Sequence, residues 1–327
     1  MELVRHLSPE AKAEIKALSG PRPKRFLATL AGTWATIIVA VVFSHTLQNP
    51  ITSLIAIYIV ATRQNLLGLL IHEQTHYTGL NNPRGDLLVN IFAGYPLLVI
   101  DVENYAKVHL AHHRFFFTDS DPDFVRKDGA DWIVPIRGGK LAWLFLRDMV
   151  GIGMVQRLAS GSATSQQQDN FRRKHPSPAG AKLTFLITGV SIVAFFNLWT
   201  IVLVYWIVPL VTILPMIVRW GALCEHLYGQ KDANVEQTSP IIVPGLLSRI
   251  FLPNLNFTLH AYHHYFPAVS FNNLPAIHRI FLREGLVRRD LLFSGQLSYL
   301  LFILRGARRR ADGHTSDRSW GLRAKRY

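Results

Sequence analysis

Residues 51–76 read ITSLIAIYIVATRQNLLGLLIHEQTH, and two features of this stretch decide the fold. From Ile51 to Ile71 it is mainly apolar over the ~20 residues that a helix needs to cross a hydrocarbon core. Its interruption is Arg63, Gln64 and Asn65. Polar side chains at that depth face a protein interior or a cavity rather than lipid. The run then leads directly into His72-Glu73-Gln74-Thr75-His76. Residues four apart share one face of a helix, so His72 and His76 are placed to point at one metal ion at the membrane boundary.

Toward the N-terminus, residues 26–47 form another nearly uncharged apolar run, joined to the first by the turn Gln48-Asn49-Pro50. Residues 1–25 are polar, with a helical pattern near Pro9 to Leu18 and the basic turn Pro21 to Arg25. They carry no cleavable signal pattern, so residues 26–47 read as a retained anchor. Toward the C-terminus, Leu87–Ile100 is apolar but too short to span and reads as re-entrant or interfacial. Residues 141–158 alternate as an amphipathic helix would, and 160–181 read as an exposed loop. Residues 183–218 are apolar, break near Asn197 and contain Pro209 and Pro215. Two spans with a very short connection fit that length.

The chain is therefore expected to be an all-α membrane protein with four transmembrane helices, at 26–47, 51–71, 183–197 and 199–218, in a single membrane domain over 1–327. That pairing puts residues 72–182 and 219–305 on one side, together with the N-terminus and a basic tail at 306–327. Nearly all Lys and Arg then share that side, which the positive-inside rule makes cytoplasmic.

Composition agrees with a membrane protein: 49% of residues are hydrophobic and 17% charged, with a formal net charge of +14. A basic balance suits nucleic acid or an anionic lipid surface. The apolar runs favour the membrane, and no helix-turn-helix, zinc-finger or RNP-like pattern supports nucleic acid. The tail, with Arg305, Arg308-Arg309-Arg310, Arg323, Lys325 and Arg326, reads as a solvated charge run or a contact for anionic headgroups. The single cysteine, Cys224, reads as a small buried hydrophobe.

Fourteen histidines accompany that one cysteine, so a metal site here uses nitrogen and oxygen ligands. The expected topology places three clusters on one membrane face: His72 with His76, then His109-Leu110-Ala111-His112-His113, then His260-Ala261-Tyr262-His263-His264. A lone His226 follows the last span. Spacings of three and four make each trio a fan on one helical face. One zinc takes about four ligands. Nine converging imidazoles suit two ions, although spacing alone does not choose iron. His6, His45, His175, His278 and His314 fall outside the clusters and read as surface or packed residues.

HEQTH, HLAHH and HAYHH resemble the three histidine boxes of integral-membrane fatty acid desaturases and related hydroxylases. Thr118-Asp119-Ser120-Asp121-Pro122-Asp123 is similar to that superfamily's Thr-x-x-Asp-Pro-Asp segment. Phe266-Pro267, Asn273-Leu274-Pro275 and the stretch from Gly85-Asp86 to Gly94 also follow its habit. The resemblance runs from about residue 30 to 280. It implies four transmembrane helices under a cytoplasmic helical cap that carries the boxes. It also implies two iron ions, with dioxygen as co-substrate, acting on an acyl chain of a lipid. The ligands it implies are His72, His76, His109, His112, His113, His226, His260, His263 and His264. Asn256, one turn before His260, is either a water-mediated metal contact or an ordinary cap. Glu73, Glu225, Asp86 and Asp121 are candidates to orient imidazoles, or are surface caps.

Ala261 and Tyr262 depart from the residues common between the box-three ligands, which leaves desaturation open against hydroxylation, ketolation or oxidative decarboxylation. No His-Pro-Gly-Gly signature of a fused cytochrome b5 domain occurs, so the resemblance implies a separate electron donor of ferredoxin or cytochrome b5 type. The basic face would suit an acidic carrier. Trp34, Tyr58, Tyr95, Trp199 and Trp220 read as tunnel-lining or, more simply, interfacial aromatics. Two readings of another kind remain: a membrane zinc protease using HEQTH alone, and a non-enzymatic metal or quinone binder.

Overall fold

A computed structural model describes residues 2–98, 100–153 and 172–311, with side chains described to Arg305. Outside it lie the side chains of the Arg308-Arg309-Arg310 run, the rest of the tail, the end of the expected amphipathic stretch (154–158) and much of the expected loop (160–171). The described part is helical almost throughout, with one two-residue strand pair as its only named sheet. It divides into two compact units. One holds Met1–Ser19, His112–Phe145 and Trp220–Tyr327; the other holds Gly20–Ala111 and Leu146–Arg219.

The second unit carries most of the long apolar helices. Pro23–Leu47 starts with proline at its first turn, where the missing N–H costs nothing, and ends at Gln48 in the left-handed conformation. Asn49 then caps Pro50–Thr75, its Oδ1 accepting from the Ile51 N–H at 2.8 Å. These two helices pack as a hairpin. Ile38, Val39, Val42 and Phe43 are all more than half exposed. An apolar row of that length left open to the surroundings on a single helix is what lipid covers.

Among the described residues, three helices are long and apolar enough to cross a membrane: Pro23–Leu47, Pro50–Thr75 and Trp199–Glu225. A fourth is counted if Gly85–Leu97 and Val102–Phe115 form one bent span. The span expected at 183–197 is the 15-residue apolar helix Ala181–Phe195. At about 1.5 Å per residue it covers roughly 22 Å, less than a ~30 Å hydrocarbon core. The helix expected to stop at 218 runs on to Glu225, so it delivers His226 at its end. Its course includes a π turn at Leu203–Ile207, where the Val208 N–H donates to the Leu203 carbonyl. Pro209 explains the irregularity, since it has no N–H for the preceding turn. The stretch expected to be re-entrant is a short helix, Gly85–Val89, followed by a second π turn at Asn90–Gly94 and a 3-10 turn at Tyr95–Leu97.

The first unit is built on short elements. Ser8 caps Pro9–Leu18, its Oγ accepting from the Ala11 N–H at 3.1 Å. That helix is tied to Leu274–Arg283 by the Arg283–Glu14 ion pair at 2.7 Å and by the Asn273 amide donating to the Leu18 carbonyl at 2.8 Å. Ile241–Ile242 and Leu292–Phe293 pair in parallel beside a core that includes Leu223, Ile242, Tyr299 and Ile303. Cys224 lies in this core and packs as the small hydrophobe that its sequence context suggests.

Candidate metal centre

Within the second unit, His72 sits in the last turn of Pro50–Thr75 and His76 caps its end. His109 lies on Val102–Phe115, whose start is fixed by two side-chain caps. The Asn90 Oδ1 accepts from the Val102 N–H, and the Asp101 Oδ1 accepts from the Asn104 N–H, both at 2.8 Å. The result is a compact trio. The His76 and His109 Nε2 atoms are 2.9 Å apart, the His72 and His109 rings 4.1 Å apart, and one nitrogen of each lies within 4.8 Å of the others. Burial, helped by the positive charge of Arg173, pushes the His76 imidazole down to about 3, so it is a neutral donor at physiological pH.

Within the first unit, His112, His226, His260 and His264 form a fully buried quartet whose nitrogens lie within 4.8 Å of one another. The Nε2 separations are 3.2 Å for His112–His226, 3.2 Å for His226–His264 and 3.0 Å for His260–His264. Ligand nitrogens about 2.1 Å from one ion, at angles from octahedral to tetrahedral, stand roughly 3.0–3.4 Å apart. His113 and His263 form a further pair in this unit, with Nε2 atoms 3.1 Å apart.

Two of the quartet's rings are oriented from behind. Asp121 Oδ2 accepts from His112 Nδ1 at 2.8 Å, which places the proton on Nδ1 and the lone pair on Nε2. The same carboxylate accepts from the Phe117, Asp123 and Phe124 N–H groups, so it also caps Pro122–Arg126. Those bonds explain why a Thr-x-x-Asp-Pro-Asp segment follows the second cluster: the aspartate orients the His112 imidazole and starts a helix. His226 Nδ1 is bonded to Ser239 Oγ at 2.9 Å. Ser239 follows a helical turn, Val235–Thr238, that is closed by an Asn234/Gln237 capping box. Burial first, and then the neighbouring imidazoles, hold His226 and His264 well below the ordinary histidine range. Neutral imidazoles whose lone pairs face one another repel until a cation lies between them, so this donor set fits a first-row transition ion.

Of the acids expected to orient imidazoles, Asp121 does so directly. Asp86 is fully buried but pairs with Arg173. Glu73 Oε2 accepts from the Thr78 hydroxyl at 2.9 Å. Asn256 has a left-handed backbone, and its amide donates to the Phe271 carbonyl at 3.2 Å. Among the expected tunnel or interface aromatics, Tyr95 is buried against Phe185, Trp199 is 52% exposed, and Trp220 donates to Gln296 at 3.2 Å. Three residues that sequence reasoning did not single out support the ligands: Ser239, Tyr105, which stacks on His109 at 5.4 Å, and Arg173. The described part of the expected loop, from residue 172, is mostly exposed, and Arg173 is the exception, its side chain buried against the end of the His72 helix. Tyr105 lies four residues before His109, a helical spacing that could have marked it, whereas Ser239 and Arg173 reach partners that no local spacing links to them.

The family model described as fatty acid desaturase matches residues 49–296, well over half the chain. A comparison with curated proteins returns no match.

Proposed function

The chain belongs to the fatty acid desaturase family, and from that premise we propose that it desaturates an acyl chain of a membrane lipid with dioxygen. The family consists of oxidoreductases of lipid metabolism, and both the clustered histidines and the apolar helices fit a membrane di-iron enzyme. The observation that carries the proposal is the pair of imidazole sets. One iron is assigned to His72, His76 and His109, the other to His112, His226, His260 and His264, with His113 and His263 as further ligands. Bound iron supplies the activation of dioxygen that an unactivated C–H bond requires.

The protein's own contribution is geometric and electrostatic. Asp121 and Ser239 hold two rings with Nε2 facing inward, burial favours the neutral form of His76, His226 and His264, and the burial of the quartet limits the access of water. The acyl chain enters from the bilayer, electrons come from an external ferredoxin or cytochrome b5 type carrier, and the histidine-bearing segments face the cytoplasm. A protease reading of HEQTH fits less well. It leaves the buried quartet without a purpose, and it needs Glu73 free to act as a base, whereas its carboxylate holds the Thr78 hydroxyl.

Metal analysis and lipid profiling test this. Purified protein is expected to carry two irons per chain, and expression in a host that lacks the enzyme is expected to yield lipid lighter by two hydrogens. Gain of oxygen would assign a hydroxylase or ketolase, and loss of carbon dioxide a decarboxylase. One zinc per chain and no oxygen consumption would overturn the oxygenase reading.

A further inference from the structure

The segment after residue 171 returns as a short strap, Arg173 to Ser177, and its contacts converge on the supports of the His72–His76–His109 trio. The Arg173 guanidinium is buried. It donates to the Thr75 carbonyl at 2.7 Å and to the Gln74 carbonyl at 3.0 Å. These are the last carbonyls of the helix that carries His72, directly before His76. A cation is favoured there because the helix ends in partial negative charge. The other edge of the guanidinium meets both oxygens of Asp86 at 2.8 Å, a bidentate fork that a lysine does not reproduce. Its face lies over the Tyr77 ring at 4.0 Å.

Asp86 is shared with the same helix end, since the Gln74 amide donates to it at 2.7 Å. The Gln74 side chain also closes on Leu80, donating to its carbonyl at 2.9 Å and accepting from its N–H at 3.0 Å. The strap's second anchor is at Ser177. Its N–H donates to Glu103 Oε1 at 2.7 Å, and Glu103 lies in the first turn of the helix that carries His109. The Asn90 amide completes this knot, donating to Glu103 Oε2 at 2.7 Å and to Ser177 Oγ at 2.8 Å. Between the anchors, the Lys174 N–H donates to the Tyr77 hydroxyl at 3.0 Å.

We propose that Arg173 is a positioning residue for the His72–His76–His109 set, and that the strap from Arg173 to Ser177 locks two histidine-bearing helices in the register that metal requires. This rests on the metal-binding reading above and adds the device that preorganises one of its two ion sites. Apolar side chains of similar volume stabilise a fold at least as well as a buried ion pair does. A pair whose every donor is aimed at helix carbonyls and a helix-anchoring carboxylate is suited to fixing geometry.

The test compares the full-length protein in detergent with Arg173→Ala, Arg173→Lys, Asp86→Asn and, as control, Lys174→Ala, whose side chain is exposed and which contributes only backbone. Iron per chain, cobalt(II) affinity by chelator competition, and thermal unfolding are measured on each. The three clamp variants are expected to bind metal at one of two sites roughly 10–100-fold more weakly, as loss of an outer-shell partner does. Iron falls from two toward one, and Lys174→Ala matches wild type. Wild-type affinity at both sites in Arg173→Ala overturns the proposal. So does loss of both ions in step with loss of folded protein in Arg173→Lys and Asp86→Asn alike, which marks a merely structural role. Where Arg173→Ala does not fold, Arg173→Lys decides, and full affinity in it is fatal to the clamp. A wild-type protein without iron refutes the di-iron reading alone; the cobalt ratio between Arg173→Lys and wild type then still decides the clamp.

Discussion

At the residue scale, Asp121 has two tasks that compete for four acceptor positions. Its Oδ1 serves the backbone of Pro122–Arg126, while its Oδ2 serves the Phe117 N–H and the His112 ring. Asn at this position keeps one carbonyl oxygen but turns the other acceptor into a donor, and that donor faces the Nδ1 proton of His112. Asp121→Asn is therefore expected to free the His112 ring to take the wrong tautomer and to weaken metal binding by roughly 10–100-fold. The helix cap is largely retained, because Asn caps as well as Asp. Chelator competition beside thermal unfolding checks this. Unchanged metal affinity would show that Asp121 only builds the turn. Tyr262 gives the same lesson in box three. It lies between ligands, is fully buried, and its hydroxyl meets His278 Nδ1 at 2.8 Å. The residue that departs from the common pattern is thus an anchor for the short ligand-bearing helix, and His278 is a packed histidine as expected.

At the scale of elements, the apolar helices of the second unit need something other than hydrophobicity to find one another, because lipid is as apolar as leucine. The π turn at Leu203–Ile207 supplies it. Trp206 donates from Nε1 to the Pro96 carbonyl at 2.8 Å, and its own carbonyl accepts from Gln64 Nε2 at 2.9 Å. The Trp34 ring stacks on it with centroids 5.4 Å apart and 7° between planes. The polar break in the run 51–71 is thereby explained in part: Gln64 satisfies a backbone group that the irregular turn exposes. Trp206→Phe keeps the stacking surface and deletes one hydrogen bond. It is expected to lower stability by about 0.6 kcal/mol, the average for hydrogen bonds between membrane helices, and by no more than about 1.7. Unfolding in mixed micelles measures it, and a wild-type midpoint would show that the Pro96 contact is incidental.

At the scale of the whole molecule, the number of crossings decides which segments share a side. Among the described residues three helices qualify by length and composition, and three crossings would put the termini on opposite sides. We propose an even number, because the positive-inside rule favours a topology that gathers the Lys and Arg flanking the apolar helices on one side. The four-span reading takes Ala181–Phe195 as the further crossing, with local thinning of the bilayer accommodating a short helix at modest cost; a crossing by the bent pair instead would separate His76 from His112 and is at odds with one metal-bearing face. Reporter fusions at the two termini are expected to give the same, cytoplasmic, answer, and opposite answers would overturn the four-span topology.

The family was legible in the sequence because its signals are local. Apolar runs, the i, i+3 and i+4 histidines and the Asp121-Pro122 cap are each written within a few residues, where helical geometry alone converts spacing into direction. The grouping of His112 with His226, His260 and His264, the role of Ser239 and the burial of Arg173 were not legible. Each joins positions that only chain folding brings together, and burial of a charge depends on partners that no local pattern specifies. The sequence by itself determined the family, the histidines that could hold metal and the apolar runs long enough to cross a membrane. The tertiary structure decided how those donors group and what holds them, because a pairwise distance between remote residues is a property of packing rather than of spacing.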